Sequence, residues 1–288
     1  MTTSTWFITG SSRGFGRALT LAALQAGDQV VATARKPEQL DDLVEQYGDK
    51  ILPVQLDVTD GAQTTAAFEA TVQQFGRVDV VVNNAGYANI APVETGEEDD
   101  FRRQFDTNFW GVYAVSKAAI PVMRKQGSGL IIQFSSIGGR VGGAPGLGSY
   151  QAAKFAVDGL TRVLAAETAA FGIKYLVVEP GGFATDWAGS SMDIPAIPAE
   201  YQDSVGMLAS FMSMPMSSAG DPQRAGEFLV RVAKLDEIPM HVVLGADAAQ
   251  NAINYSESQI AEAKQWQEAS GSLDFGKPYP VALPGENA

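Results

Sequence analysis

Tyr150 and Lys154 stand four residues apart, a spacing that on a helix puts both side chains on one face. A free phenol titrates at about 10, too high for an efficient base near neutrality. A neighbouring ammonium favours the phenolate and lowers that value. The pair therefore predicts a group that can give and take a proton. Tyr-x-x-x-Lys is common on helices, so its weight comes from the residues around it. Ser135-Ser136 ends a short apolar run. A hydroxyl there can polarise a substrate oxygen, or cap a turn in the glycine-rich loop that follows. Asn108 lies in Thr107-Asn108-Phe109-Trp110-Gly111, inside a long helical pattern. Asn and Gly are poor residues for a helix interior, and such local violations often mark a site.

A second set of residues suits an anion. Thr9-Gly10-Ser11-Ser12-Arg13-Gly14-Phe15-Gly16 directly follows the first apolar run. Gly10 permits a tight turn, and Gly14 and Gly16 let backbone and helix approach a pyrophosphate. The helix that follows would offer free N–H groups and a partial positive charge. The spacing is G-x-x-x-G-x-G, which by itself is also that of an ordinary glycine-rich loop. The second apolar run ends Ala32-Thr33-Ala34-Arg35-Lys36. NAD sites usually place an acid there for the ribose 2′-hydroxyl. Arg35 suits a 2′-phosphate instead, and Arg13 could clamp the same group. Solvated surface arginines are the alternative; two at the two expected places favour NADP(H). Asp57 after the third run is expected to bond the adenine amine, with Val58 packing nearby, or to cap a turn. Asn83-Asn84-Ala85-Gly86 closes the fourth run, at the carboxyl edge where ligands bind in open sheets.

Other chemistries are excluded by composition. The 288 residues include no cysteine and one histidine, His241. Disulfides, thiolate nucleophiles and cysteine metal sites are out, and a His-rich metal site or a Ser-His-Asp arrangement is hard to build. No metal is expected. His241 opens His241-Val242-Val243-Leu244 and reads as a strand-end residue. The net charge of -13 argues against nucleic acid, which wants a basic footprint. No apolar run approaches membrane-spanning length, and Met1 to Trp6 lacks the pattern of a secretory leader. A soluble, cytoplasmic protein is expected, with no membrane or nucleic-acid partner.

Short apolar runs alternating with helical patterns predict βαβ units around a parallel sheet. Strands are expected at 6–9, 30–33, 51–56, 78–83, 130–135, 175–179 and 240–244. Helices are expected at 14–26, ending at Gly27, at 37–47, and at 61–75 after an Asp60 cap. Others should run over 97–124, 150–171, 221–235 and 247–267. Residues 181–220, rich in Gly, Ser, Pro, Met and aromatics, break the rhythm and read as an irregular lid. No linker is evident elsewhere, so a single domain over 1–288 is expected, with 183–220 as its variable cover.

Taken together, these motifs closely resemble the short-chain dehydrogenase/reductase family. The matching residues are Thr9-Gly10-x-x-x-Gly14-x-Gly16, Asn83-Asn84-Ala85-Gly86, Asn108, Ser136, Tyr150-x-x-x-Lys154 and Pro180-Gly181, in the family's order. The resemblance implies a doubly wound α/β fold with a seven-stranded parallel sheet. It implies a tetrad in which Tyr150 transfers the proton and Ser136 positions the oxygen. Lys154 would lower the tyrosine's pKa and hold the nicotinamide ribose, and Asn108 would keep a water linking Lys154 to solvent. Pro180, Gly181 and Thr185 would border the nicotinamide, and Phe183 joins the cofactor-binding set with Ser12, Phe15, Asn84, Ala85 and Gly86. The Ser136-to-Tyr150 interval is one residue longer than the family's commonest spacing, which leaves Ser135 as the alternative to Ser136. Dimers or tetramers are implied, with the helices at 97–124 and 150–171 as the interface.

The lid carries Trp187, Met192, Ile194, Ile197, Met207, Leu208, Phe211, Met212, Met214 and Met216. Flexible thioethers suit a surface that adapts to varied apolar shapes, though some must simply pack the lid down. No arginine or lysine lies between Gly181 and Gly220. The expected substrate is thus a neutral, fairly apolar ketone or secondary alcohol. Alternatives are the same chemistry run mainly as alcohol oxidation, and a non-catalytic NADP(H)-binding sensor.

Overall fold

The computed structural model of the protein describes residues 3–185, 192–213 and 220–286. In chain order, its first half holds β1 (Thr5–Ile8), α1 (Gly14–Gln25), β2 (Gln29–Ala34), α2 (Asp41–Tyr47), β3 (Ile51–Gln55), α3 (Gly61–Phe75), β4 (Val80–Asn83) and β5 (Ala88–Asn89). Then come α4 (Glu98–Phe105), α5 (Gly111–Gln126), β6 (Gly129–Phe134), α6 (Gly148–Thr168), β7 (Ile173–Pro180) and β8 (Met192–Asp193). The chain continues through α7 (Met207–Met212), α8 (Pro222–Val232), β9 (His241–Leu244) and α9 (Ala246–Gly271).

Seven strands form one parallel sheet in the order β3-β2-β1-β4-β6-β7-β9. Strands covered on both faces read as continuous apolar runs, and here alternate residues serve two cores. Trp6, Ile8, Val30 and Val82 pack with Leu19 and Leu229 on one face. Phe7, Val31 and Val81 pack with Phe68, Val115 and Met123 on the other. On the first face α1 and α8 lie so close that a Cβ on Gly226 would stand 2.8 Å from the Ala18 carbonyl oxygen. The helix starts follow capping chemistry. Asp60 accepts from the backbone N–H groups of Ala62 and Gln63, and Asp221 from those of Gln223 and Arg224 ahead of Pro222.

The strand order reverses between β1 and β4, and at that point the carboxyl ends open a crevice. Asn84 closes its base: Nδ2 donates to the Thr9 carbonyl at 2.9 Å and its own N–H donates to Thr9 Oγ1 at 2.9 Å. Below it, Asn83, Ser116 and Gln133 form a buried hydrogen-bonded triangle linking β4, α5 and β6.

Several local expectations need correction. The helix expected at 97–124 is α4 and α5 joined by a π turn at Asp106–Trp110. Gly111 follows that turn because a Cβ there would stand 2.7 Å from Val58 Cγ2. The helix expected at 37–47 begins as a 3₁₀ turn at Pro37–Leu40. The lid is less irregular than its composition suggests. β8 pairs with β5 in parallel, Ala88 opposite Met192, and α7 follows. Trp187, Met214 and Met216 lie outside the described residues. No helix among the described residues is long and apolar enough to cross a membrane.

Candidate active site

A cleft of about 1380 Å³ runs across the carboxyl ends of the strands. Its walls include Gly10, Ser12, Arg13, Gly14 and Phe15 from the glycine turn, and Arg35, Asp57 and Val58 from the ends of β2 and β3. Asn84, Ala85, Gly86, Asn108, Ser136, Tyr150, Lys154, Pro180, Gly181, Phe183 and Thr185 line it too. Of the residues expected to hold the cofactor or to act in catalysis, Gly16 alone does not line the cleft. A Cβ there would stand 2.2 Å from the Gly10 carbonyl oxygen and 2.6 Å from Asn84 Nδ2. Gly16 lets α1 seat against the turn, not a ligand against the backbone. Gly10 and Gly14 adopt φ of +70° and +55°, conformations that glycine reaches without steric cost.

The two ends of the cleft differ in charge. Arg13 and Arg35 are exposed on its walls, joined by Lys36 and Gln39, which the sequence reading left out. Asp57 divides its functions: Oδ1 accepts from the N–H and hydroxyl of Thr59 at 3.0 and 2.7 Å, as a turn aspartate does, yet the residue still lines the cleft.

At the other end Tyr150 and Lys154 emerge from α6, both buried. Lys154 Nζ donates to the Phe134 carbonyl at 2.7 Å and stands 5.6 Å from the Tyr150 ring centroid. Burial dominates the phenol and pushes it up to about 12; a hydrogen bond with Ser136 pulls the other way. Burial also pushes Lys154 down to about 8. For the protein alone, burial outweighs the lowering by the Ser136 hydrogen bond.

The choice between the two serines is geometric. Ser135 Oγ donates to the Lys154 carbonyl at 3.1 Å. Ser136 Oγ accepts from the Gly138 N–H at 3.0 Å and meets the phenol. Asn108 is fully buried in the π turn. Its Nδ2 donates to the Tyr87 carbonyl at 2.9 Å and its Oδ1 accepts from the Tyr87 N–H at 3.3 Å. A Cβ on Gly86 would stand 2.5 Å from that same oxygen, so Asn108 fixes the path of the Gly86-Tyr87 backbone. Tyr150 belongs to an apolar cluster with Ala88, Ile90, Leu147, Val205 and Ala209.

The short chain dehydrogenase family matches residues 4–193. This chain belongs to that family. As a short chain dehydrogenase it is an oxidoreductase. It is 49% identical to the oxidoreductase BOA17 of Botryotinia fuckeliana over 270 residues, 93% of this chain and 98% of the other. A short-chain dehydrogenase from Streptomyces avermitilis superposes with a TM-score of 0.88 at 35% identity, covering 95% of this chain and 99% of that one. A short chain dehydrogenase from Burkholderia cenocepacia, solved in complex with NADP, superposes with a TM-score of 0.72 at 25% identity, covering 91% and 96%.

In this short chain dehydrogenase the lid contributes Met192, Leu208, Phe211 and Met212 to the cleft. Ile197 packs beneath them. Ile194 and Met207 are exposed and stand outside the lining. The sequence reading missed a polar stretch of wall formed by Tyr87, Asn89, Asp100, Arg103 and Asp106. Arg103 pairs with Asp100 at 3.1 Å, and Asn89 Nδ2 donates to the same carboxylate. A helical count back from Thr107 (to 103, then 100) would have found this face. His241, read as a strand-end residue, opens β9 and bonds Asp158 of α6 at 2.6 Å, away from the cleft.

Proposed function

We propose that this protein is an NADP(H)-dependent carbonyl reductase acting on neutral, fairly apolar ketones, in which Tyr150 supplies the proton. The observation that carries this reading is the buried phenol, hydrogen-bonded to Ser136, on the wall of the same cleft as the glycine turn.

The cradle fits a dinucleotide. Gly10 and Gly14 present backbone in conformations closed to most side chains, and α1 begins directly behind them, with its free N–H groups available to phosphate. Arg13 and Arg35 would hold the 2′-phosphate, since no acid stands at the end of β2. Asp57 and Val58 would receive the adenine, and Pro180, Gly181, Phe183 and Thr185 would flank the nicotinamide. When bound, the nicotinamide supplies or accepts the hydride.

The protein's own groups handle the proton. With its phenol at about 12, Tyr150 is protonated near neutrality and is a donor to a carbonyl oxygen rather than a base. The proposed preference for NADPH leans towards reduction. Ser136 would hold the same oxygen and stabilise the charge that develops on it. Lys154, at about 8, carries its charge at neutrality, where it can hold a ribose hydroxyl and re-supply the phenol through it. Asn108 fixes the Gly86-Tyr87 backbone opposite. Met192, Leu208, Phe211 and Met212 would shield the substrate from water.

The whole chain is read as one Rossmann-type domain with 183–220 as its cover. A homo-oligomer, dimer or tetramer, fits the aromatic residues left exposed on α4, the π turn and α5. Phe101, Trp110 and Tyr113 are among them, and large exposed apolar patches mark contact surfaces.

The test is a set of initial rates with NADPH and NADH across bulky apolar ketones and small keto acids. Faster turnover of the bulky ketones with NADPH is expected. A preference for NADH, or for the keto acids, overturns the reading.

A further inference from the structure

Ser136 meets the phenol from a turn that nothing in its own sequence makes rigid. The turn is 3₁₀ over Ile137–Gly139 and opens a glycine-rich loop that runs to α6. It is fastened on two sides by contacts already described: Ser136 Oγ receives the Gly138 N–H, and Ser135 Oγ bonds the Lys154 carbonyl. A Cβ on Gly139 would stand 2.4 Å from Ser135 Oγ and 2.8 Å from Lys154 Cβ, so the turn lies flat on α6.

A third fastening comes from a charge pair outside the cleft lining. Arg140 caps the far end of the turn, and its Nε donates to Glu179 Oε2 at 2.8 Å. Glu179 is the penultimate residue of β7, directly before Pro180-Gly181, and only 1% of it is exposed. A carboxylate buried so deeply is costly unless it is paired and hydrogen-bonded. The pair thus joins the loop bearing the serine to the neighbouring strand, whose end forms the adjoining wall. The backbone already ties the Ser135 N–H to the Val178 carbonyl of β7 at 2.8 Å. The hydrogen-bonded guanidinium adds a second, directional tie at the far end of the turn, beyond the serine.

We infer that Arg140 and Glu179 are a positioning pair that holds the Ser136 turn in register with Pro180-Gly181, so that the serine hydroxyl is aimed at the Tyr150 phenol. The inference rests on the reading of Ser136 and Tyr150 given above. Neither residue of the pair touches the reacting atoms. Their effect passes through the turn.

The test compares Arg140→Met, Arg140→Lys, Glu179→Gln and the double variant Arg140→Met/Glu179→Gln in the full-length protein. Three quantities are read: melting temperature, amide hydrogen exchange at residues 138–141, and kcat for ketone reduction. In Arg140→Met the carboxylate is left unpaired, so melting temperature falls. Exchange at 138–141, whose N–H groups bond back to Ser136 and Ile137, rises about tenfold. The rate kcat falls about 30-fold or more, because a small misplacement of a reacting partner is expensive. Arg140→Lys and Glu179→Gln, which keep a hydrogen-bonding partner, recover part of the rate.

The double variant discriminates, because it removes the unpaired buried charge. Melting temperature returns towards the parent value, while exchange and kcat do not. A purely structural pair would restore all three together, and that result overturns the inference. So does unchanged exchange at 138–141 in Arg140→Met, or raised exchange with undiminished kcat. Exchange and melting temperature do not depend on turnover. A parent protein that reduces no ketone would therefore count against the proposed activity, while the exchange data would still judge the pair.

Discussion

On the floor of the cleft Asn108, Tyr150 and Lys154 are each at most 7% exposed, and polar contacts tie them to Tyr87, Ser136 and the Phe134 carbonyl at neighbouring turns and strand ends. On the cover, Met207 and Phe211 are 67% and 60% exposed, and α7 is held to the body by small and branched apolar residues such as Val205 and Ala209. The floor therefore has one arrangement, fixed by hydrogen bonds and by glycines where a Cβ would collide. The cover can shift side chains without breaking a polar contact, as thioether and aromatic surfaces do. On the proposed reading, chemistry is set by the floor and substrate choice by the cover.

That contrast can be broken by substitution. The largest effect is expected from Ser136→Ala, which should lower kcat about 100- to 1000-fold, as loss of one donor to a developing oxyanion does. NADPH affinity, measured by fluorescence titration, should stay as it was; weakened cofactor binding would mean that the turn, not the hydroxyl, was lost. Next comes Arg35→Ala, which should raise the KM for NADPH about 10- to 100-fold and leave NADH nearly unaffected, the scale of a lost charge-assisted hydrogen bond. Equal loss with both cofactors would remove Arg35 from phosphate recognition.

The pH profile gives a third effect. Burial holds Lys154 at about 8, below its usual 10.5, so it is charged below that pH and neutral above it. If the ammonium is needed, kcat/KM for reduction should be level near neutrality and fall about tenfold per pH unit as pH rises past 8. Lys154→Met should lack this limb. The smallest effects belong to the cover. Leu208→Ala and Phe211→Ala should raise KM for bulky ketones several-fold with kcat little changed, as trimming one apolar wall does. A large fall in kcat from either would mean that the cover is part of the floor.

Legibility in the sequence follows the same division. Glycines forced by positive φ, the Asp60 and Asp221 caps, and apolar runs buried on both faces each leave a local signature, and the sheet could be read from them. Tyr150 and Lys154, at a spacing common on helices, stood out only in company with Ser136, with the glycine turn and with Asn108, a poor residue for a helix interior. What stayed hidden depends on contacts far apart in the chain. The phenol belongs to an apolar cluster with residues near 88–90 and 205–209, so no local spacing reveals how far burial raises it. The pairing of β5 with β8 joins two-residue strands a hundred positions apart. The role of Gly16 was misread because a glycine needed for helix packing looks, in sequence, like one needed for a ligand.

The central claim is that the Tyr150 phenol delivers the proton inside a cleft that binds NADP(H). Its most direct test is Tyr150→Phe, with single-turnover rates and NADPH affinity measured on the same preparation. The account predicts a fall in rate of about 100- to 10,000-fold with cofactor affinity unchanged. Undiminished turnover by that variant would contradict it.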